Sequence, residues 1–500
     1  MDNLKKYLTD VIKEDYKNWK IGDTVFIKAG TGAGKSYFIK NKLNDLCSEN
    51  GKYILFLTNR CILKEQVQID IGTSSNIVVK NYQQIEELMI RNNLNITKYE
   101  YIVMDEAHYF FTDSAFNKRT DLFFNEIINN KDICKIFMTA TPRLLTKYFN
   151  SMNINIDYTY ELKPNYSYLN KIIAFNTYES INSIIEDIPS DEQIILFSSA
   201  KRSLEISKKY NGAFICSKHN KEGFYNKYVK DTENEKELNR IINEGKFNNH
   251  LLCTTTVFDN GININEGVPV KHIIIDVFDR DEFIQCLGRK RVNKNEKVSL
   301  YFYSWNDNKR INGFKTKINN TLKRADLLMK KGDIEYTKIK FKTDIADTRI
   351  IDDIVFDGEI HKVVNNCMYH KYKSDMKCYN SILSKNSEVT YKRIIASILQ
   401  VNEYDIPEME TRETLLSIEE LLESLVGKQL YKEDRKKLVE FIGLKDSNGR
   451  LQKSIGTLNA YLDENKLLYT IKSERKSYRD GNGKIKKTPI SWVIYKLNTN

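Results

Sequence analysis

The stretch "TVFIKAGTGAGKS", Thr24 to Ser36, passes from an apolar, β-branched run into a loop with three glycines, and then into a Lys-Ser pair that opens a helical pattern. A strand, a tight loop and a helix start in that order make a Walker A phosphate loop. Gly30, Gly32 and Gly34 let the backbone turn sharply and aim its N–H groups inward, where they cradle phosphate oxygens. The helix from Lys35 adds the positive end of its dipole. Lys35 would reach the β- and γ-phosphates, and the Ser36 hydroxyl would hold Mg²⁺. Thr31 and Ala33 complete the loop. Ala29 stands where the pattern has its first glycine, but that position ends the strand and a small residue suffices. A chance glycine-rich turn is the competing reading, and the strand and helix on either side weigh against it.

The runs around this loop repeat its grammar. "YILFLT" (53–58), "NIVVK" (76–80), "YIVMDE" (101–106) and "KIFMTA" (135–140) are strand-sized and apolar throughout, as expected of strands covered on both faces of a parallel sheet. After the junction "LKPNYSYLN" (162–170) the rhythm restarts with "IIAFN" (172–176), "QIILFSSA" (193–200), "AFICS" (213–217), "LLCTTTV" (251–257), "HIIIDVF" (272–278) and "VSLYFYS" (298–304). The expected fold class is α/β, with two parallel-sheet domains in series at 1–165 and 166–305. A mostly helical accessory region at 306–430 and a basic region at 431–500 follow.

Composition bounds the rest. The 500 residues carry a formal net charge of +11, and the pI is near 8.9, which suits a polyanionic partner. No apolar run approaches the roughly 18 residues of a membrane span. "MDNLKKYLTDVIKEDYKNWK" has no apolar core of signal-peptide type. The eight cysteines are scattered, without a Cys-x-x-Cys pair, so a reducing, cytoplasmic setting is expected.

"YIVMDEAH" (101–108) puts Asp105 and Glu106 at the carboxyl end of an apolar strand, where ligands sit in open parallel sheets. Beside a phosphate loop, Asp105 suits Mg²⁺ and Glu106 suits orientation and deprotonation of an attacking water. His108 suits a hydrogen bond that couples hydrolysis to movement, or a purely structural role.

The ordered set "AGTGAGKS" (29–36), "ILFLTNRCILKEQ" (54–66), "KNYQQI" (80–85), "MDEAH" (104–108), "MTATP" (138–142), "ILFSSAKRS" (195–203), "CTTTVFDNGINI" (253–264) and "QCLGRKR" (285–291) resembles the superfamily 2 helicases of the DEAH/DExH type. The resemblance covers about 300 residues. It implies two RecA-like domains, with ATP and Mg²⁺ in the cleft between them and a nucleic-acid strand across their tops. Thr58, Asn59 and Arg60 then suit nucleic-acid phosphates, as do Lys201, Arg202, Thr254 and Thr255. For Lys201 and Arg202, a helix N-terminus with two exposed cations competes equally. Thr139 and Thr141 suit coupling between the domains; a helix N-cap before Pro142 is compatible with that. Gly261 allows a turn near the nucleotide, but Asn260 and Asn263 stand where many relatives carry Arg and Asp, which weakens a ribose role. In Q-x-x-G-R-x-x-R, Gln285, Gly288 and Arg289 match, while the last arginine would fall on Val292. Arg289 is then the safer contact to phosphate, and Arg291 is a finger displaced by one residue. No adenine-reading glutamine motif is recognisable. Trp19 and Tyr16 suit core roles better than base stacking.

Two features remain. His361, Cys367, His370 and Cys378 fit no common zinc spacing, and an amphipathic helix over 358–379 is the expectation. In 431–500 basic residues outnumber acidic ones two to one. The pattern reads as helix, turn, helix and a β-hairpin around Asp480-Gly481-Asn482-Gly483, resembling a winged-helix module. Lys453, Lys472, Arg475, Lys476, Arg479, Lys484, Lys486 and Lys487 are its candidate phosphate contacts, against a merely solvated charged surface. The resemblance implies an ATP-dependent helicase or translocase, with DNA expected over RNA and no membrane partner. The alternatives are an ATP-gated clamp that does not unwind, or the motor subunit of a larger restriction, defence or replication complex.

Overall fold

The computed structural model describes residues 6–59, 76–90, 95–96, 98–112, 120–256, 263–339, 346, 348–356, 358–384, 388–409, 412–444, 450–475, 477–479 and 485–497. The chain divides into two compact units, Met1–Glu408 and Met409–Asn500.

The first unit opens with six strands: β1 (Thr24–Ala29), β2 (Ile54–Thr58), β3 (Ile77–Asn81), β4 (Tyr101–Met104), β5 (Cys134–Thr139) and β6 (Tyr158–Leu162). Their order across the sheet is β3-β2-β4-β5-β1-β6, and every pairing is parallel. The alternation of side chains along β1 divides the core. Phe26 packs with Leu55, Phe110 and Phe137 on one face; Val25 and Ile27 pack with Phe38, Ile54 and Met138 on the other. Each such buried side chain stabilises the fold by about 1.5–3 kcal/mol. β6 escapes the sequence pattern because it lies at the sheet edge, where most of its residues are exposed or half-buried.

The second sheet holds β7 (Leu169–Phe175), β8 (Gln193–Phe197), β9 (Ala213–Ile215), β10 (Leu251–Thr254), β11 (Val270–Ile275) and β12 (Val298–Tyr303). Its order is β7-β12-β11-β8-β10-β9, again all parallel. The two α/β domains expected in series are present. In a parallel sheet all strands end on one edge, so the segments that follow β1, β2, β4 and β5 gather there. Among the helices, α1 (Arg143–Ser151) follows β5, α2 (Ala200–Lys209) follows β8 and α3 (Arg280–Leu287) follows β11.

The third region packs into the same unit. It comprises α4 (Asn308–Lys331), the hairpin β13 (Ile351–Phe356) and β14 (Glu359–Val364), α5 (Asn366–Leu383) and α6 (Tyr391–Leu399). The helix expected over 358–379 is half right: Glu359–Val364 is a strand, and the helix starts after the Asn365 cap, whose side chain accepts the Met368 N–H. The His/Cys set does not converge. His361 Nδ1 lies 2.7 Å from Asp333, Cys367 is in the first domain's core, and His370 packs on Phe111 and Tyr148. Among the described residues no cluster has a metal-ligand arrangement of three or more His, Cys, Asp or Glu.

The boundary expected at 430/431 falls inside the second unit. That unit starts at Met409 because α7 (Arg412–Leu425) puts Ile418 and Leu422 into one core with Leu438, Leu458, Ile471 and Trp492. The order is α7, β15 (Gln429–Leu430), α8 (Lys432–Ile442), α9 (Ile455–Glu464), β16 (Tyr469–Glu474), the hairpin β17 (Ser477–Arg479) and β18 (Ile485–Lys487), and β19 (Ser491–Lys496). The sheet runs β15-β19-β16, antiparallel. Among the described residues no helix is long and apolar enough to cross a membrane.

Candidate functional site

The phosphate loop forms as its glycines require. Gly32 and Gly34 take φ of +74° and +83°, values side chains rarely adopt. Ala29 closes β1 with its methyl in the core, so a small residue there is enough. Lys35 is buried, and its Nζ donates to the carbonyls of Ala29 (2.9 Å) and Gly30 (3.2 Å). This holds the ammonium at the floor of the loop. Ser36 is half-buried beside it, at the start of a helical segment that runs from Lys35 to Glu49.

Asp105 and Glu106 follow β4 directly. The Asp105 N–H donates to Leu57 O (3.0 Å) and its carbonyl accepts from Tyr82 Oη (2.8 Å), which fixes the carboxylates at the sheet edge. Glu106 has φ +50°, a costly backbone for a residue with a Cβ. Among the described residues, Asp105 Oδ1 and Glu106 Oε2 are buried without a hydrogen-bond partner. Burial and the Glu106 charge push the Asp105 carboxyl up to about 6. For Glu106 burial acts upward too, but Lys35, His108, Arg289 and Arg291 outweigh it, and its carboxyl falls below the ordinary value. Of the two neighbouring carboxyls, Asp105 is thus the harder to ionise and Glu106 the easier. A cationic loop beside buried oxygens with open valences fits a magnesium nucleotide.

A relay of polar groups runs outward from Glu106. His108 Nδ1 lies 3.5 Å from Glu106 Oε2 and 3.4 Å from Thr139 Oγ1. Thr139 Oγ1 lies 3.4 Å from Thr141 Oγ1 and accepts the Thr141 N–H at 3.0 Å. His108 and the two threonines thus join the end of β4 to the start of α1. Burial lowers the His108 pKa.

The second domain reaches this site through the segment after α3. There Ile264 pairs with Lys290 as an isolated parallel bridge. The Ile264 N–H donates to Arg289 O and the Arg291 N–H to Ile264 O, both at 2.8 Å. Extended backbone alternates its side chains, so Arg289 and Arg291 share one side and Lys290 takes the other. Lys290 is buried and paired with Glu296 at 2.8 Å, donating also to Asn265 O. Arg289 donates to Gln285 Oε1 (2.6 Å) and Gln285 O (3.2 Å). Arg291 lies over the phosphate loop: a Cβ built on Gly32 would be 3.4 Å from its Nη1. Burial and Arg289 lower the Arg291 guanidinium to about 10. Gly288 is obligatory at this junction, since a Cβ there would sit 2.5 Å from Thr31 Oγ1.

The expected nucleic-acid contacts fare unevenly. Asn59 is buried with an unpartnered Oδ1, and Thr58 is buried at the end of β2. Thr254 does not face a strand track: it is fully buried and its hydroxyl donates to Ile215 O (3.0 Å). Thr255 is half-buried and Lys201 exposed. Arg202 is tied into the protein, paired with Asp276 at 2.9 Å and stacked over Tyr178. Arg60, Gly261, Lys476 and Lys484 lie outside the described residues. Tyr16 and Trp19 are core residues; Trp19 Nε1 donates to Tyr160 Oη (3.2 Å). Arg143 belongs to this junction but was not singled out by sequence. Its only signal is a cation directly after "TATP".

Residues 3–144 match the family described as the Type III restriction enzyme, res subunit (ResIII). No curated protein matches the sequence. Among solved structures the chain is similar to Saccharomyces cerevisiae Dbp5 bound to RNA and ADP BeF3, at 13% identity and TM-score 0.42, covering 56% of this chain and 79% of that one. It is also similar to a DEAD box protein from the hyperthermophile Methanococcus jannaschii, at 17% identity and TM-score 0.34, covering 59% and 85%.

Proposed function

We propose that the chain is an ATP-dependent nucleic-acid helicase or translocase acting on DNA, built on the tandem RecA-like core of a superfamily 2 helicase; the family match over residues 3–144 and the two parallel sheets support this reading. One observation carries the reading: Arg291 of the second domain lies against Gly32 of the phosphate loop, within electrostatic reach of Glu106. A site that needs both domains for its charge balance makes nucleotide state a lever on their separation.

In this reading Ala29 to Ser36 wrap the phosphates, and Lys35 leaves the Ala29 and Gly30 carbonyls for the β- and γ-phosphates. Ser36 and Asp105 would hold the cation. The bound magnesium nucleotide supplies the reactive phosphoryl group. Glu106, kept ionised, orients a water and takes its proton. Arg291 faces the charge that builds on the transferring group, with Arg289 holding the strip in place through Gln285. Such an arginine is worth about 10³–10⁵ in rate. His108, Thr139 and Thr141 pass changes at Glu106 to α1.

The DNA preference rests on the second unit, whose order of helices and strands resembles that of a winged-helix module. The experiment is ATP turnover with single-stranded DNA, duplex DNA and RNA side by side, with strand displacement on forked substrates. Strongest stimulation by DNA is expected. Stimulation by RNA alone sinks the DNA preference, and stimulation by none of them sinks the motor reading. Stimulation without displacement leaves the ATP-gated clamp.

A further inference from the structure

The acidic N-terminus of α3 is gripped from two sides, and neither grip belongs to the phosphate site. Arg143, the first residue of α1, donates from Nη2 to Asp281 Oδ2 at 2.6 Å and from Nη1 to Ser374 Oγ at 2.9 Å. Asp279 caps α3, its Oδ1 accepting the N–H groups of Asp281 (2.8 Å) and Glu282 (3.3 Å). The other Asp279 oxygen accepts from Lys371 Nζ at 3.0 Å, and Lys371 also pairs with Asp375 at 2.7 Å. The first domain thus supplies Arg143, the second Asp279 and Asp281, and α5 of the third region supplies Lys371 and Ser374.

These groups are largely buried. Removing one member of a buried pair leaves an uncompensated charge, so the junction holds one geometry firmly. α5 is itself anchored: Cys367 lies in the first domain's core, and Asn365 and the Asn366 N–H bond Thr120 (3.0 Å) and Asp121 (3.0 Å). At its other end Tyr379 packs on Phe278 of the second domain. The two ends of the Arg143–Asp281 pair are informative. Arg143 comes two residues after Thr141, where the relay from Glu106 ends. Asp281 lies on the helix that leads into Gly288 and Arg291.

We propose that Arg143 is a positioning residue: by pairing with Asp281 it sets where α3, and with it Arg291, sits over the phosphate loop, while α5 forms the third leg of the clamp. This rests on the ATPase reading. It gives the site a second route between the relay and Arg291, one that does not pass through the nucleotide. In phosphoryl transfer positioning is most of the protein's work, and a displacement of about 1 Å can cost about 10²-fold in rate.

The test is ATP turnover by the full chain as wild type, Asp281→Asn, Arg143→Asp and the swap Arg143→Asp with Asp281→Arg, with KM for ATP and Tm measured throughout. Asp281→Asn is nearly isosteric and keeps the helix cap at Asp279. Its kcat is expected to fall by about 10²-fold with KM for ATP unchanged, in an assay run well below its lowered Tm, and the swap is expected to be about tenfold faster than Arg143→Asp alone. Asp281→Asn at wild-type kcat overturns the proposal. So does a swap no faster than Arg143→Asp, or a kcat loss in Asp281→Asn that is accounted for by its unfolded fraction at the assay temperature. A wild type without ATP turnover overturns the ATPase reading, an outcome distinct from all of these.

Discussion

The two faces of the cleft are built by opposite rules. The first domain offers open valences: among the described residues, Asp105 Oδ1, Glu106 Oε2 and Asn59 Oδ1 are buried without a hydrogen-bond partner. The second offers cations whose places are fixed by their own neighbours, Arg289 by Gln285 and Lys290 by Glu296. An unpaired buried polar atom costs about 1–3 kcal/mol, so the first face gives up stability that a ligand restores. The second face has its own cost, since Gln285 Nε2 is buried without a hydrogen-bond partner among the described residues and burial disfavours the Arg291 charge, but its strip is laid down by the Ile264 bridge. In the proposed reading the first face binds, and the second is a preformed lever whose placement decides the rate.

The deepest break in that comparison is Lys35→Ala. The binding face then loses its one buried cation on the loop floor, and phosphate release at saturating ATP should fall by at least about 10³-fold. Persistent turnover would remove the phosphate loop from the mechanism. The lever is tested next by three alanine variants. Arg291→Ala should lower kcat by about 10³-fold with little change in Tm, since Arg291 faces the loop. Arg289→Ala should lower both kcat and Tm, because it leaves the Gln285 side chain unpartnered. Lys290→Ala should lower Tm most and kcat least, because it strands Glu296. If Lys290→Ala alone slowed turnover, the alternation along the strip would be wrong.

A further variant exposes the stability given up by the binding face. Asp105 titrates near 6 in the fold against about 3.9 in an unfolded chain. A raised carboxyl pKa means the fold holds the proton more tightly than the unfolded chain does. Its penalty is therefore absent below about 4, grows between about 4 and 6, and is complete above 6. Asp105→Asn should raise the Tm of the nucleotide-free protein at pH 8 and leave it nearly unchanged at pH 4, while abolishing ATP turnover. A Tm gain that was equal at both pH values would mean that Asp105 is not under this strain.

What was legible in the sequence follows the same division. Motifs whose chemistry depends on local geometry could be read: "AGTGAGKS" needs only a strand before it and a helix after it, and both sheets follow from fully apolar runs. The lever was half legible. Family spacing put its arginine on Val292, and only the backbone bridge to Ile264, a partner 26 residues away in sequence, turns Arg289 and Arg291 to one side. Thr254 looked like a strand contact because a hydroxyl carries no sign of the direction it faces; its carbonyl partner, Ile215, comes from a neighbouring strand. The clamp was invisible for the same reason. Arg143, Asp281 and Lys371 are ordinary charges until three regions fold onto one another. The boundary at 430/431 followed a change of charge, whereas the unit is defined by the apolar face of α7, which puts Ile418 and Leu422 in the core.

The smallest expected effect concerns the second unit, where the contrast between binding and placing recurs. If α9 were a base-reading helix, its exposed face would carry side chains able to reach base edges. Ile455–Glu464 has no Lys or Arg, and Asn459 is spent on Ile471, donating to its carbonyl (3.0 Å) and accepting its N–H (2.8 Å). Exposed cations lie instead on and beside the hairpin, at Lys472, Arg475, Arg479 and Lys487, and on α8, at Lys432, Lys436 and Lys437. Such a surface grips phosphates without reading sequence, and each contact contributes about 0.7–0.9 to the slope of log affinity against log salt. Replacing Arg475, Arg479 and Lys487 together by Gln should therefore reduce that slope by about 2–3. The loss of affinity should be the same on unrelated sequences, and basal ATP turnover should stay at the wild-type value. An unchanged slope would leave these cations as a solvated surface. A loss confined to one sequence would move recognition back to α9.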